Sequence, residues 1–188
     1  MVVGSPSRGS STRAVLHHLA ELLRGAGAGV DLLDLPDQPL PLFNPDSTYG
    51  DAYYAGLKER VERADAYLLG TPDYHGSISG VLKNFLDHFW EEFAGKLFAS
   101  VVASSDKGLT VTDQLRTMAR QCYAWSMPYA VAFHDNEDVQ DGQIVREPFR
   151  LRAEMLVRDL RVYGELLAAQ RRLDLAGTGP GFLARYRE

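Results

Sequence analysis

With one cysteine, Cys122, among 188 residues, the chain can form neither an intrachain disulfide nor a thiolate metal cluster. A single thiol suits a reducing compartment, and the expected location is the cytoplasm. Basic excess is missing as well: 20 Lys and Arg against 25 Asp and Glu give a formal charge of -5. Without a clustered basic surface to displace counterions, a nucleic-acid role is disfavoured. No apolar run approaches the ~20 residues of a membrane-spanning helix, and Met1-Val2-Val3 leads straight into a glycine-rich loop with no basic and then apolar leader. Gly4 and Gly9 have the glycine spacing of a nucleoside-triphosphate loop, but Ser10 stands where that loop needs lysine. The dinucleotide pattern GxGxxG is absent. Gly76-Ser77-Ile78-Ser79-Gly80 outlines a hydrolase elbow with Ile78 at the nucleophile position, so that chemistry is excluded too.

What is present is an ordinary globular composition, 45% hydrophobic and 24% charged, in a length that suits one domain with a full core. Short apolar runs alternate with helical patterns from end to end, the mark of βαβ units and a parallel sheet. Strands are expected at residues 2–3, 30–35, 66–70, 97–103 and about 129–133. Helices are expected at about 12–24, 51–64, from Gly80, at 111–124, and from Pro148 to about Arg171. The proline-rich stretch 36–45 is too poor in amide donors for an interior strand and reads as a surface loop. The class is α/β: a doubly wound five-stranded parallel sheet in the order 2-1-3-4-5, with helices on both faces. Ligands of such a sheet bind at the carboxyl ends of strands one and three.

Two unusual loops fall at those two ends. In the first, Ser5, Ser7, Ser10, Ser11 and Thr12 supply hydroxyls, Arg8 and Arg13 supply charge and forked donors, and the free amides of a helix start lie next to them. This is the donor set that a phosphate dianion requires. A serine-rich helix cap explains the hydroxyls alone, but two arginines exceed what capping needs. The second loop, Pro72-Asp73-Tyr74-His75-Gly76-Ser77, is rigid and then flexible. Its backbone can read the polar edge of a flat ring, with Tyr74 or His75 bordering the plane.

The second loop, continued by Ser79-Gly80-Val81-Leu82-Lys83-Asn84 and Asp87, resembles the strand-three loop of the NADPH-dependent FMN reductases, which include azo-, quinone- and chromate-reducing flavoproteins. Gly4-Ser5-Pro6 with Thr12-Arg13 is similar to that family's phosphate loop. The resemblance runs from about Met1 to Phe133 and implies a flavodoxin-like fold that binds FMN without covalent attachment. It implies reduction by NADPH or NADH, and a homodimer or homotetramer whose subunit contact borders the flavin. Carried over by position, Ser5, Ser7, Arg8, Ser10, Ser11, Thr12 and Arg13 surround the FMN phosphate, and Pro72, Asp73, Tyr74, His75, Gly76 and Ser77 line the ring. Ser104, Ser105, Lys107 and Gly108, after strand four, complete the ring site. Asp73 stands where the family commonly has glutamate, and Gly108 is the one glycine in a loop that is usually richer in them.

The expected function is transfer of two electrons from NAD(P)H through FMN to a small acceptor: a quinone, an azo compound, a free flavin or a metal oxyanion. The flavin N5 carries the chemistry, so no protein acid or base is named as catalytic. The alternative is a flavin-binding electron carrier or redox sensor with little NAD(P)H turnover. Elsewhere the residues read as structural. Leu82, Phe85, Leu86 and Phe89 are core, His17 and His18 lie at the surface, and His134 with Asp135, Glu137 and Asp138 is an acidic loop rather than a metal site. Residues 173–188 read as a mobile tail or an arm to a neighbouring subunit.

Overall fold

The computed structural model describes residues 1–187; Glu188, the last residue of the expected tail, lies outside them. Six strands form one parallel sheet: β1 (Val2–Val3), β2 (Leu33–Asp34), β3 (Ala66–Pro72), β4 (Leu97–Ala103), β5 (Trp125–Ser126) and β6 (Val131–Phe133). The order is β2-β1-β3-β4, after which β5 and β6 both pair with β4, Leu97 facing Trp125 and Val101 facing Val131. The fifth position is thus one strand, broken at residues 127–130. The expected 129–133 strand is corrected here: its ladder starts at Val131, and Trp125–Ser126 pairs before the break. Pro128 has no amide proton to give the ladder, although the Met127 amide still reaches the Phe98 carbonyl at 2.8 Å. The second strand is also shorter than the expected 30–35, because β1, its neighbour among the described residues, offers two residues to pair with.

Side chains alternate across the sheet with the period of two that a pleated strand imposes. In β4, Phe98 and Val102 enter one core, while Leu97, Ala99, Val101 and Ala103 enter the other. The first core is closed by α2 (Ala52–Arg63), α3 (Gly80–Asp87) and α4 (Leu109–Gln121) through Leu57, Val61, Leu82, Phe85, Val111 and Leu115. The second is closed by α1 (Ser11–Gly25) and the thirty-residue α6 (Glu147–Ala176), through Leu16, Leu19, Phe149, Leu156 and Leu160. The doubly wound arrangement is present. Lys96, 2% exposed, donates from Nζ to the Val61 and Glu62 carbonyls at 2.8 Å each, closing the end of α2 from inside the protein.

A one-turn helix, α5 (Asp135–Asp138), and a hairpin of β7 (Val139–Gln140) and β8 (Gln143–Ile144) come after the sheet. The hairpin is an element that the apolar patterning does not predict. Asp141-Gly142 turns it with both φ angles positive, at 48° and 75°, which is what a two-residue hairpin turn demands. The described residues after α6, 177–187, do not project as an arm. A 3₁₀ turn at Phe182–Tyr186 folds back, seating Leu183 at 2% exposure near Gly95 and placing Phe182 against Tyr123 and Trp125. The segment packs beside Trp125 of β5, which stays half exposed.

Candidate functional site

The loops after β1, β3 and β4 leave the same carboxyl edge of the sheet and are tied to one another. Gly4 begins the first loop, its amide bonded to the Gly70 carbonyl at 2.8 Å. A β-carbon on Gly4 would lie 2.6 Å from that carbonyl and 2.7 Å from Leu82 Cβ, so only glycine fits between β3 and α3. Ser79 locks this contact from the other side. Its hydroxyl donates to the Gly4 carbonyl and accepts the Leu82 amide at 3.2 Å, capping α3, while its own amide bonds Thr71 Oγ1 at 3.0 Å.

Within the first loop, Ser5 is buried and accepts the Ser7 amide at 3.3 Å, and Ser10 caps α1 by accepting the Arg13 amide at 3.2 Å. Thr12 is buried, and the Ser11 hydroxyl donates to Asp135. The amides of Arg8, Gly9, Ser11 and Thr12 have no hydrogen-bond partner among the described residues. Four donors at a helix start, beside hydroxyls, make a site for an anion. The arginines are placed differently from one another. Arg13, 27% exposed, is held by two acids, with Nε 2.6 Å from Asp34 Oδ2 and a terminal nitrogen on Asp37; these bonds raise its pKa further. Arg8, 72% exposed, pairs with Asp37 at 2.8 Å, and its carbonyl accepts Arg13 at 3.3 Å. Arg13 braces the loop from two acids, and the Arg8 side chain is the more exposed of the two.

The second loop is a tight hairpin turn. Tyr74 and Ser77 exchange amide-to-carbonyl bonds at 2.9 and 3.1 Å, and between them His75 and Gly76 both hold positive φ, at 59° and 75°. Pro72 ends β3 in the core, and Asp73 sets the shape of the turn. Its Oδ1 accepts the Gly76 amide at 2.8 Å, and its Oδ2 accepts the Ser104 hydroxyl of the third loop at 3.0 Å. Ser104 is buried and accepts the Asp106 amide; Ser105 and Lys107 point outward; Gly108, with φ at 61°, starts α4. From α4, Gln114 Oε1 accepts both the Ser77 hydroxyl and the Ile78 amide at 3.1 Å. The amides of His75, Ser105 and Lys107 make no bond within the described chain. They are available to the polar edge of a ring.

Asp34, Asp37, Gln114 and Asp135 were not legible as site residues in the sequence. Each acts on a loop far away along the chain, and isolated acids and amides carry no spacing signal. Asn84 pins the proline-rich loop, accepting the Phe43 amide at 2.8 Å and donating to the Pro41 carbonyl at 2.9 Å, and Lys83 pairs with Asp87 along its own helix. His134 and its acidic neighbours cap α5 and bind Arg146, and no group of three or more His, Cys, Asp or Glu converges as a metal site among the described residues. Burial pushes the Cys122 thiol up to about 11, so it is no thiolate nucleophile near neutrality.

A parallel sheet in this order, with an amide-and-hydroxyl cradle after β1 and two cross-tied loops after β3 and β4, defines a flavodoxin-like protein. Solved structures agree on the fold. A flavodoxin of Streptococcus pneumoniae superposes with a TM-score of 0.60 at 15% identity, covering 86% of this chain and 97% of that one. The flavoenzyme NAD(P)H:acceptor oxidoreductase FerB of Paracoccus denitrificans gives 0.69 at 23%, covering 88% and 95%. The NADPH-dependent FMN reductase family matches residues 1–138, and the chain belongs to it. The FMN-dependent NADPH-azoreductase of Staphylococcus haemolyticus is 31% identical over 84% of this chain and 89% of its own length. The chain is accordingly an FMN-dependent NAD(P)H oxidoreductase. No helix of the described residues is long and apolar enough to cross a membrane.

Proposed function

We propose that FMN lies across the three tied loops and serves a small acceptor of the quinone, azo, flavin or metal-oxyanion type. Bound there, FMN supplies two-electron transfer from the nicotinamide to the acceptor. The protein's residues bind and orient. The unpaired amides of Arg8, Gly9, Ser11 and Thr12, with the hydroxyls of Ser5, Ser7 and Ser10, take the phosphate. Arg8 turns from Asp37 to neutralise it, while Arg13 stays on Asp34 and Asp37 and keeps the loop in shape. The Tyr74–Ser77 turn and the 104–108 loop hold the ring, their relative position set by Asp73.

The observation that carries this reading is the pair of cross-ties, Ser79 to Gly4 and Ser104 to Asp73. They make one rigid rim of three loops that are distant along the chain, and preorganisation of that kind lowers the cost of holding a flat cofactor. Exposed Tyr74 and Leu109 beside the rim support a contact between copies there, and hence a homodimer or homotetramer. The test is a visible spectrum with FMN added, then with NADPH under anaerobic conditions. A bound-flavin band that bleaches rapidly supports the enzyme; a band that persists in NADPH overturns NADPH-driven turnover, and the absence of a band overturns the cradle.

A further inference from the structure

A cavity of about 600 Å³ opens beside the rim, between the 104–107 loop, α4, the strand break at 128–130 and the start of α6. Its volume lies in the range of small-molecule sites, roughly 300–1,000 Å³. Four cations line it. Arg146 is neutralised within the protein by Glu137 at 2.7 Å and Asp138 at 3.7 Å. Lys107 and Arg152 have no carboxylate within 4 Å among the described residues, and Arg116 has only Asp113, at 3.8 Å. A second cavity of similar size at the opposite end of the sheet differs in this respect, since its Arg60 and Arg63 both pair with Asp31.

The guanidiniums of Arg116 and Arg152 are also held in place. Arg116 donates to the Pro128 carbonyl at 3.0 Å and Arg152 to the Ala130 carbonyl at 3.4 Å, one on each side of Tyr129. Those carbonyls belong to the segment where the ladder lapses. Tyr129 is itself fixed by its hydroxyl bond to Asp159 at 2.8 Å. The result is a partly buried aromatic with a guanidinium held on the carbonyl of each sequence neighbour, in one cavity, a combination suited to a phosphorylated nucleoside.

NADPH differs from NADH by one phosphate on the adenine ribose, and preference for it needs cations that the protein has not already neutralised. We propose that this cavity receives the 2′-phosphoadenosine end of NADPH, with Arg116 and Arg152 as the residues that select it over NADH. The proposal rests on the reading that the 104–108 loop borders the flavin, since the nicotinamide end must reach that ring from the same cavity.

The probe is adenosine 2′,5′-bisphosphate, measured by calorimetry against 5′-AMP on protein with and without added FMN. The bisphosphate is expected to bind about tenfold or more tightly than 5′-AMP, and Arg116→Gln and Arg152→Gln each to lose about tenfold of that affinity. The ratio of kcat/KM for NADPH to that for NADH is expected to fall by a similar factor. Equal affinities for the two probes, or variants that keep both the bisphosphate affinity and the NADPH ratio, would overturn the proposal. An FMN titration of the unaltered protein separates the two readings: failure to take up FMN strikes the flavin site, whereas calorimetry on the protein without FMN reports the cavity alone.

Discussion

The Ser104 hydroxyl donates to Asp73 Oδ2 at 3.0 Å while the other oxygen of the same carboxylate holds the Gly76 amide. One side chain thereby sets both the shape of the ring-side turn and its distance from the neighbouring loop. If that coupling prepares the ring site, Asp73→Ala and Ser104→Ala act on FMN affinity through a shared contact. A double-mutant cycle read by FMN fluorescence quenching is expected to give an interaction energy of about 1 kcal/mol. Strict additivity would show that the two loops bind FMN independently.

Gly4 has no room for a methyl group, because the obstacles are a backbone carbonyl and a Cβ rather than a flexible side-chain end. Gly4→Ala should destabilise the protein by roughly 1–3 kcal/mol, and denaturant unfolding measures it. An unchanged midpoint would mean that β1 and α3 separate more easily than their packing indicates.

Arg8 and Arg13 share Asp37 but have different freedom. Arg8→Gln is expected to lower FMN affinity about tenfold with little effect on riboflavin, which lacks the phosphate. Arg13→Gln should weaken both flavins and lower stability, because the loop itself loses its strut. Reversal of the two patterns in fluorescence titrations would make Arg13 the phosphate ligand.

Lys96 is buried with its ammonium on two carbonyls, and burial, with the nearby Arg171 charge second in weight, lowers its pKa from 10.5 to about 8. Between those values the unfolded chain holds the proton that the folded chain has released. Stability conferred through Lys96 therefore rises with pH across that window, by an amount on the order of 3 kcal/mol. The difference in unfolding free energy between the native protein and Lys96→Met, measured from pH 7.5 to 10.5, isolates this contribution. A flat difference would show that the ammonium stays hydrated.

Patterning carried the architecture, because a strand covered on both faces is apolar throughout and a helix repeats every three to four residues. Val101 and Leu16 announce their surroundings in that way. Loop positions were legible for the same reason, since Gly4 and Pro72 punctuate the ends of strands. The roles inside the loops were less so. The pairing of Arg13 with Asp34 and Asp37 is one such role, and nothing local in the sequence brings those acids to it. The strand break at Pro128 and the hairpin turned by Asp141-Gly142 were not read from the sequence, because a single proline or Asp-Gly pair shows only after the neighbouring ladder is known.

The family match stops at residue 138, yet α6 begins at Glu147. Its Phe149, Ala153, Leu156 and Leu160 lie in the same core as Val101, Val131 and Phe133. A chain ended at the family boundary would keep the three tied loops and lose much of the cover over one side of the sheet, leaving Val101 and Val131 in water. For this protein, the segment that defines the family and the segment that builds the core are different lengths of chain.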